Sequence, residues 1–280
     1  MIVRRACVPA LLAIALVVFA ACLPQPDEPV DYLRRPEAII IQVLNVDGSP
    51  QSELQNRLVV PDFTLYGDGT LIFSDAESRL IQAQLPEEAI RDLLEFIVDD
   101  GFLDFFYDQP SPASGADLPA TFIYVNTIGG ANSVRTVGLG AVPLEESGEE
   151  FDDLRRIEEI VRRLNNLDPE AAGGELEGEF SPEAVLLHLT RMGEPPYEFT
   201  PTFLPPSEID LAKIVPAGSA PVEHRVEGAL AGEILRWLNR LTDRPEPNPW
   251  SVFLEQGDGT YIVTFAPVLP FEENFPEFDR

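Results

Sequence analysis

The chain has 280 residues, 48 of them Asp or Glu and 19 Lys or Arg, for a formal net charge of −29. That charge opposes phosphate backbones, so nucleic acid is excluded as a partner. Its two cysteines, Cys7 and Cys22, both lie near the N-terminus, leaving no disulfide framework, zinc–cysteine site or cysteine nucleophile for the rest of the chain; 45% apolar content with 17 Phe places it among globular proteins.

Arg4 and Arg5 supply a positive start, and Val8 to Ala20 an apolar stretch too short for an ordinary spanning helix. Phe19-Ala20-Ala21-Cys22 closes it with two small residues before a cysteine. This arrangement resembles the lipobox of bacterial lipoproteins, with Phe19 standing where Leu is usual. The resemblance implies that residues 1–21 leave as a signal peptide, that cleavage falls between Ala21 and Cys22, and that the Cys22 sulfur carries a diacylglycerol. It also implies a membrane held through a lipid anchor as partner, and an extracytoplasmic location at the cell membrane. Loss of Arg4 and Arg5 takes the net charge to −31. Residues 22–36, with Pro24, Pro26 and Pro29, read as a stiff tether that holds an acidic body away from anionic lipid.

Residues 37–168 read as an α+β domain. Ala38 to Leu44 is a β-branched run suited to a buried strand. Val59 to Tyr66 and Thr70 to Ser74 flank Gly67-Asp68-Gly69, where Asp-Gly suits a two-residue primed hairpin turn. Phe63, Leu65, Leu71 and Phe73 alternate onto one face. A helix is expected from Pro86 to about Asp100, with Ile90, Leu93, Leu94, Ile97 and Val98 as its apolar stripe and Gly101 as its left-handed cap. Phe102 packs back on it, and Phe105, Phe106 and Tyr107 extend the cluster. Two more strands, Thr121 to Thr127 and Val134 to Leu139, surround Gly129-Gly130. A second helix follows over Asp152 to Leu167, buried through Leu154, Ile157, Val161 and Leu164. Its pairs Asp152–Arg156, Glu158–Arg162 and Glu159–Arg163 fall at i,i+4. The resulting order, β-β-β-α-β-β-α, gives an antiparallel sheet with helices packed on one face.

Residues 169–180, rich in Gly, Ala and Glu, read as a linker between two halves of similar size. Residues 181–270 read as a second α+β region. Ser181-Pro182-Glu183 signals a helix start, and that helix is expected to reach Met192. Pro195 to Pro206 is extended, Val226 to Leu241 a helix, and Trp250 to Phe265 a closing hairpin around Gly257-Asp258-Gly259. This turn echoes the first, although the order of elements around the two does not match. Residues 271–280 form an acidic, aromatic tail.

Catalytic signatures are lacking. The two histidines, His188 and His224, have no partner at a recognisable spacing; His188 is expected beside the apolar face of its helix and His224 in a loop. There is no nucleophile elbow, zinc-protease helix, phosphate loop or dinucleotide fingerprint. The glycine-flanked acidic turns do not space their oxygens as a calcium loop requires. No cofactor, metal or catalytic residue is therefore assigned. Carboxylate pairs such as Asp99-Asp100, Asp152-Asp153 and Glu272-Glu273 follow from an acidic composition.

Phe63 to Thr70, the Leu-rich helix ending at Gly101, and Pro267-Val268-Leu269-Pro270 together resemble a group of uncharacterised, membrane-anchored lipoproteins of actinobacteria and related bacteria. The resemblance implies fold and anchoring, and brings no activity to any residue. A tether, a stalk and a folded body favour a binding or protein-interaction module with a protein partner in the envelope. A small-solute receptor, with Tyr197, Phe199 and Trp250 as ligand contacts, is the alternative. A carboxylate-based hydrolase of envelope polymers is the other, and it requires a carboxyl of raised pKa.

Overall fold

The computed structural model describes residues 30–46, 60–77, 79–111, 118–141, 151–192, 209–241 and 251–272. They form two antiparallel sheets with helices, the mixed α+β class that the element pattern implies. The first sheet has seven strands: β1 (Ile39–Val46), β2 (Phe63–Tyr66), β3 (Thr70–Ser74), β4 (Leu80–Gln84), β5 (Ala120–Thr127), β6 (Gly130–Val137) and β7 (Glu175–Glu179), in the order β6-β5-β1-β2-β3-β4-β7. The second has four: β8 (Ala184–Met192), β9 (Val222–Glu227), β10 (Ser251–Gln256) and β11 (Gly259–Val268), in the order β10-β11-β8-β9.

One face of the first sheet carries the main core. Val43, Phe63, Leu65, Leu71, Ala83, Ile123, Val125 and Val134 point to it. The helices α1 (Glu87–Asp99) and α2 (Asp152–Asn165) bring Ile90, Leu93, Leu94 and Ile97, and Ile157, Ile160 and Leu164, to the same core. An irregularity in the β1–β2 register between Ile39 and Ile41 lets the neighbours Ile40 and Ile41 both face it. Gly101, at φ 82°, ends α1 as expected, and Phe102 behind it is fully buried. Phe105 stacks edge-on against Phe102, but Phe106 does not join them and is 80% exposed.

The opposite face is apolar too. Ile39, Tyr66, Ile72 and Leu80 meet Phe180, where the chain leaves the sheet, and Leu269, where it returns after β11. Residues 169–180, expected as a linker, thus contain β7, paired with β4, and the buried Phe180. The short strand β4 is a further element beyond those expected, because Leu80-Ile81-Gln82-Ala83-Gln84 alternates only weakly.

The second sheet corrects two elements. Residues 184–192 form β8, a strand, in place of the helix expected over 181–192. Val185, Leu187 and Leu189 face the core while Ala184, Leu186 and His188 face the other way. A strand covered on both faces reads as a continuous apolar run, which periodicity alone does not separate from a helix. The helix expected over 226–241 begins at Ala229 as α4 (Ala229–Leu241), with β9 before it, so His224 lies on a strand and not in a loop. α4 packs Ala231, Ile234 and Leu235 on β8 and β9, and the single-turn α3 (Leu211–Ile214) closes the same core with Leu211.

Both Gly-Asp-Gly turns close hairpins, with different geometries. In the first, Gly69 N–H donates to Tyr66 O at 3.0 Å, and only Gly69, at φ 92°, is left-handed. This is a three-residue loop ended by a left-handed glycine, not the primed two-residue turn expected from Asp-Gly. In the second, Gln256 pairs with Gly259, and the positive φ of 64° falls on Gly257, as in a two-residue type II′ turn. The same tetrapeptide fits two turns, so the echo is one of turn chemistry.

Candidate functional site

Residues 22–36 are expected as a tether, but from residue 30, where the described chain begins, it does not stand off as a stalk. It docks as a strap across the first hairpin. Tyr32 is buried, Ala38 N–H donates to Arg35 O at 3.0 Å, and Gly67 N–H donates to Ala38 O at 2.8 Å. A Cβ on Gly67 would lie 1.9 Å from Leu33 O, so only glycine admits the strap so close to the turn. The turn is tied down on its other side: Leu85 N–H donates to Gly69 O at 2.9 Å, and Gln84 Nε2 to Asp68 O at 2.7 Å. The Asp68 carboxylate accepts from Thr70 N–H at 2.9 Å.

Charge fastens the strap at its edge. Arg34 reaches Asp31 at 2.7 Å and Glu87, in the first turn of α1, at 3.0 Å; Arg91 meets the same Glu87 at 2.7 Å. Hydrogen bonds from Arg34 and Arg91 hold the Glu87 carboxyl below its usual range, and a hydrogen bond from Arg34 does the same for Asp31. Asp31, Arg34 and Glu87 are exposed, so these pairs fix position more than they add stability. The strap also meets the β5–β6 tip, where Ile128 N–H donates to Asp31 O at 2.8 Å.

A second polar knot lies at the end of β1. Thr121 Oγ1 donates to Asn45 Oδ1 at 2.6 Å, and Asn45 Nδ2 donates to Asp62 Oδ2 at 2.8 Å. Burial pushes the Asp62 carboxyl above its ordinary value, against the hydrogen bonds from Asn45. This is the raised carboxyl that a hydrolase would require, but its partners are an amide and, through it, a hydroxyl. The arrangement laces β5, β1 and the start of β2 together. Among the described residues no group of three His, Cys, Asp or Glu side chains could hold a metal ion.

In the second sheet, the Gly257–Gly259 turn carries a clasp of its own. Asp258 pairs with Arg191 at 3.0 Å, and Arg191 lies over the Tyr261 ring at 5.7 Å. Gln256 accepts from Leu211 N–H at 2.6 Å and donates to Ile209 O at 2.8 Å, pinning α3 to β10. His188 is buried at mid-strand, opposite Glu223 on β9 and Thr264 on β11. The tail starts on the body: Tyr66 OH donates to Pro270 O at 2.8 Å, and Phe271 packs edge-on against the Tyr66 ring. Burial raises the Tyr66 hydroxyl above its usual value.

On α2 the charge pairs form at i,i+3, Asp152–Arg155 and Glu159–Arg162. Arg156 instead donates to Asp100 O at 3.4 Å, and Arg163 lies over the Phe96 ring, so both tie α2 to α1. Of the residues singled out in the sequence, the two turns Gly67-Asp68-Gly69 and Gly257-Asp258-Gly259 are thus located. Ala21, Cys22, Tyr197, Phe199 and Trp250 lie outside the described residues. Local sequence patterns do not reveal the strap contacts of Tyr32 and Arg34 or the Asp62 knot. An aromatic residue inside a Pro-rich polar stretch is the one signal for the first, and the second joins residues far apart in the chain.

Comparison with family models, with curated proteins and with solved structures finds no significant match to the chain. No helix of the described residues is long and apolar enough to cross a membrane.

Proposed function

We infer that the chain is an extracytoplasmic lipoprotein, anchored through acylated Cys22, whose body serves as a binding or protein-interaction module. The observation that carries this reading is Phe19-Ala20-Ala21-Cys22 after a short apolar stretch with Arg4 and Arg5 at its start. Two features of the body agree with it. Its first described residues are clamped to the fold, as suits the point where a tether takes load. Polar side chains also tie its elements to one another, as Arg34 does with Glu87, Asn45 with Asp62 and Thr121, and Arg191 with Asp258.

Cys22→Ala tests the anchor. The variant should leave membranes, or accumulate as the uncut precursor, and acyl labelling should vanish. Unchanged processing and anchoring would refute the reading. The interaction role is tested by cross-linking the tagged chain in its native membranes. One abundant partner, absent from the Cys22→Ala control, is the expected result; its absence would favour the small-solute receptor.

A further inference from the structure

We propose that the tip of the β5–β6 hairpin, with Ile128 at its apex, rests on the lipid bilayer together with Leu33 of the strap, and sets the orientation of the body there. The inference rests on the anchoring reading above and adds to it a surface and a partner, the lipid interface.

Three observations lead to it. The first is reach. Val30 follows Cys22 by eight positions, and a chain spans at most about 3.5 Å per residue, so the strap lies within roughly 30 Å of the acyl chains. Because Tyr32 is buried and Gly67 binds Ala38, the strap cannot swing away, and the end of the body it enters is held toward the membrane. That end includes the β5–β6 tip, since Ile128 N–H bonds Asp31 O.

The second is exposed apolar surface. Thr127 pairs with Gly130, so Ile128 and Gly129 form a two-residue tip. There Ile128 is 60% exposed, and Leu33, two residues from the bonded Asp31, is 39% exposed. A single exposed apolar side chain is ordinary, but here two flank the point where the tether arrives.

The third is charge. The chain carries −29, yet no charged residue occurs between Asp117 and Arg135, a span that holds the whole of β5, the tip and the start of β6. On the strap Arg34 and Arg35 balance Asp31 and Glu37, and Arg91 answers Glu87 of α1, while Asp68 stays exposed in the turn beneath the strap. An anionic lipid surface repels an acidic body but meets no charge on the tip itself, so the field and the tether select the same orientation.

The test uses the full acylated chain in vesicles of phosphatidylcholine and phosphatidylglycerol. An environment-sensitive fluorophore is placed on Ile128→Cys, on Leu33→Cys, and on Ala141→Cys beyond the far end of β6. Eight strand residues put that control about 25 Å away along the hairpin. Quenching by a headgroup nitroxide should be several-fold stronger at 128 and 33 than at 141, with a blue shift at 128. Equal quenching in an anchored chain, or stronger quenching at 141, would overturn the orientation and leave the anchor standing. A chain that carries no lipid and stays in the supernatant would overturn both.

Discussion

Replacing Gly67 by Ala would put a methyl group 1.9 Å from Leu33 O and 2.7 Å from Arg35 O, so the strap would have to move. Gly67→Ala should therefore expose the Arg34–Arg35 bond to trypsin while the sheet stays folded; unchanged cleavage would show that the strap is not held there. Gly69 acts on the turn itself. Its φ is 92°, and a Cβ there would lie 2.4 Å from Leu85 O. Gly69→Val should therefore cost about 1–2 kcal/mol in urea unfolding, and a neutral result would mean that the turn relaxes freely. Asp62 gives a prediction of the opposite sign. Its carboxyl is raised in the folded state, so the native chain binds that proton more tightly than the unfolded chain does. The stability it contributes is fully present below the unfolded pKa and is lost as pH rises through the folded one. Asp62→Asn keeps an acceptor for Asn45 and removes the charge. At neutral pH it should match or exceed the parent in stability, and the difference should shrink toward pH ~4; a less stable variant at neutral pH would mean that the charge itself is needed.

At the scale of elements, local signals succeeded where their reach matched the element. α1 and α2 have an apolar stripe at helical spacing, and both form within two residues of the expected ends. β8 went the other way. Ser181-Pro182-Glu183 is a sound helix start, yet β8 pairs along its whole length with β11 and over six residues with β9. Two ladders outweigh a propensity of roughly tenths of a kcal/mol per residue. Pro267 fits within β11 because β10 has already ended, its last pair being Ser251 with Thr264. Amide exchange should separate the strands: Val185 to Leu189, bonded on both sides, should exchange slowly, and the edge strands β7 and β9 faster. Fast exchange throughout 185–189 would remove β8 from the centre of its sheet.

At the scale of the molecule, the two sheets are joined through the second face of the first. Phe180 leaves across it and Leu269 returns to it, with Tyr66 bonded to Pro270. Leu269 is buried, so Leu269→Ala should cost about 2–4 kcal/mol. It should also split a single unfolding transition into two when far-UV and near-UV signals are followed together; coincident transitions in the variant would mean that the sheets are coupled elsewhere.

The sequence by itself determined the class of the fold, the two main helices, both hairpins, the acidic character and the expectation of a lipid tether. Each is written in short range: a stripe at helical spacing, a glycine-flanked turn, a cysteine after two small residues. Tertiary structure alone decided that residues 184–192 are a strand, that β7 joins the first sheet, and that residues 31–38 dock as a strap beneath Gly67. It alone brought Ile128 to Asp31 and Asn45 to Asp62. Those outcomes depend on ladders and hydrogen bonds between residues remote in the chain, and no local pattern carries the position of a partner that folding has yet to supply.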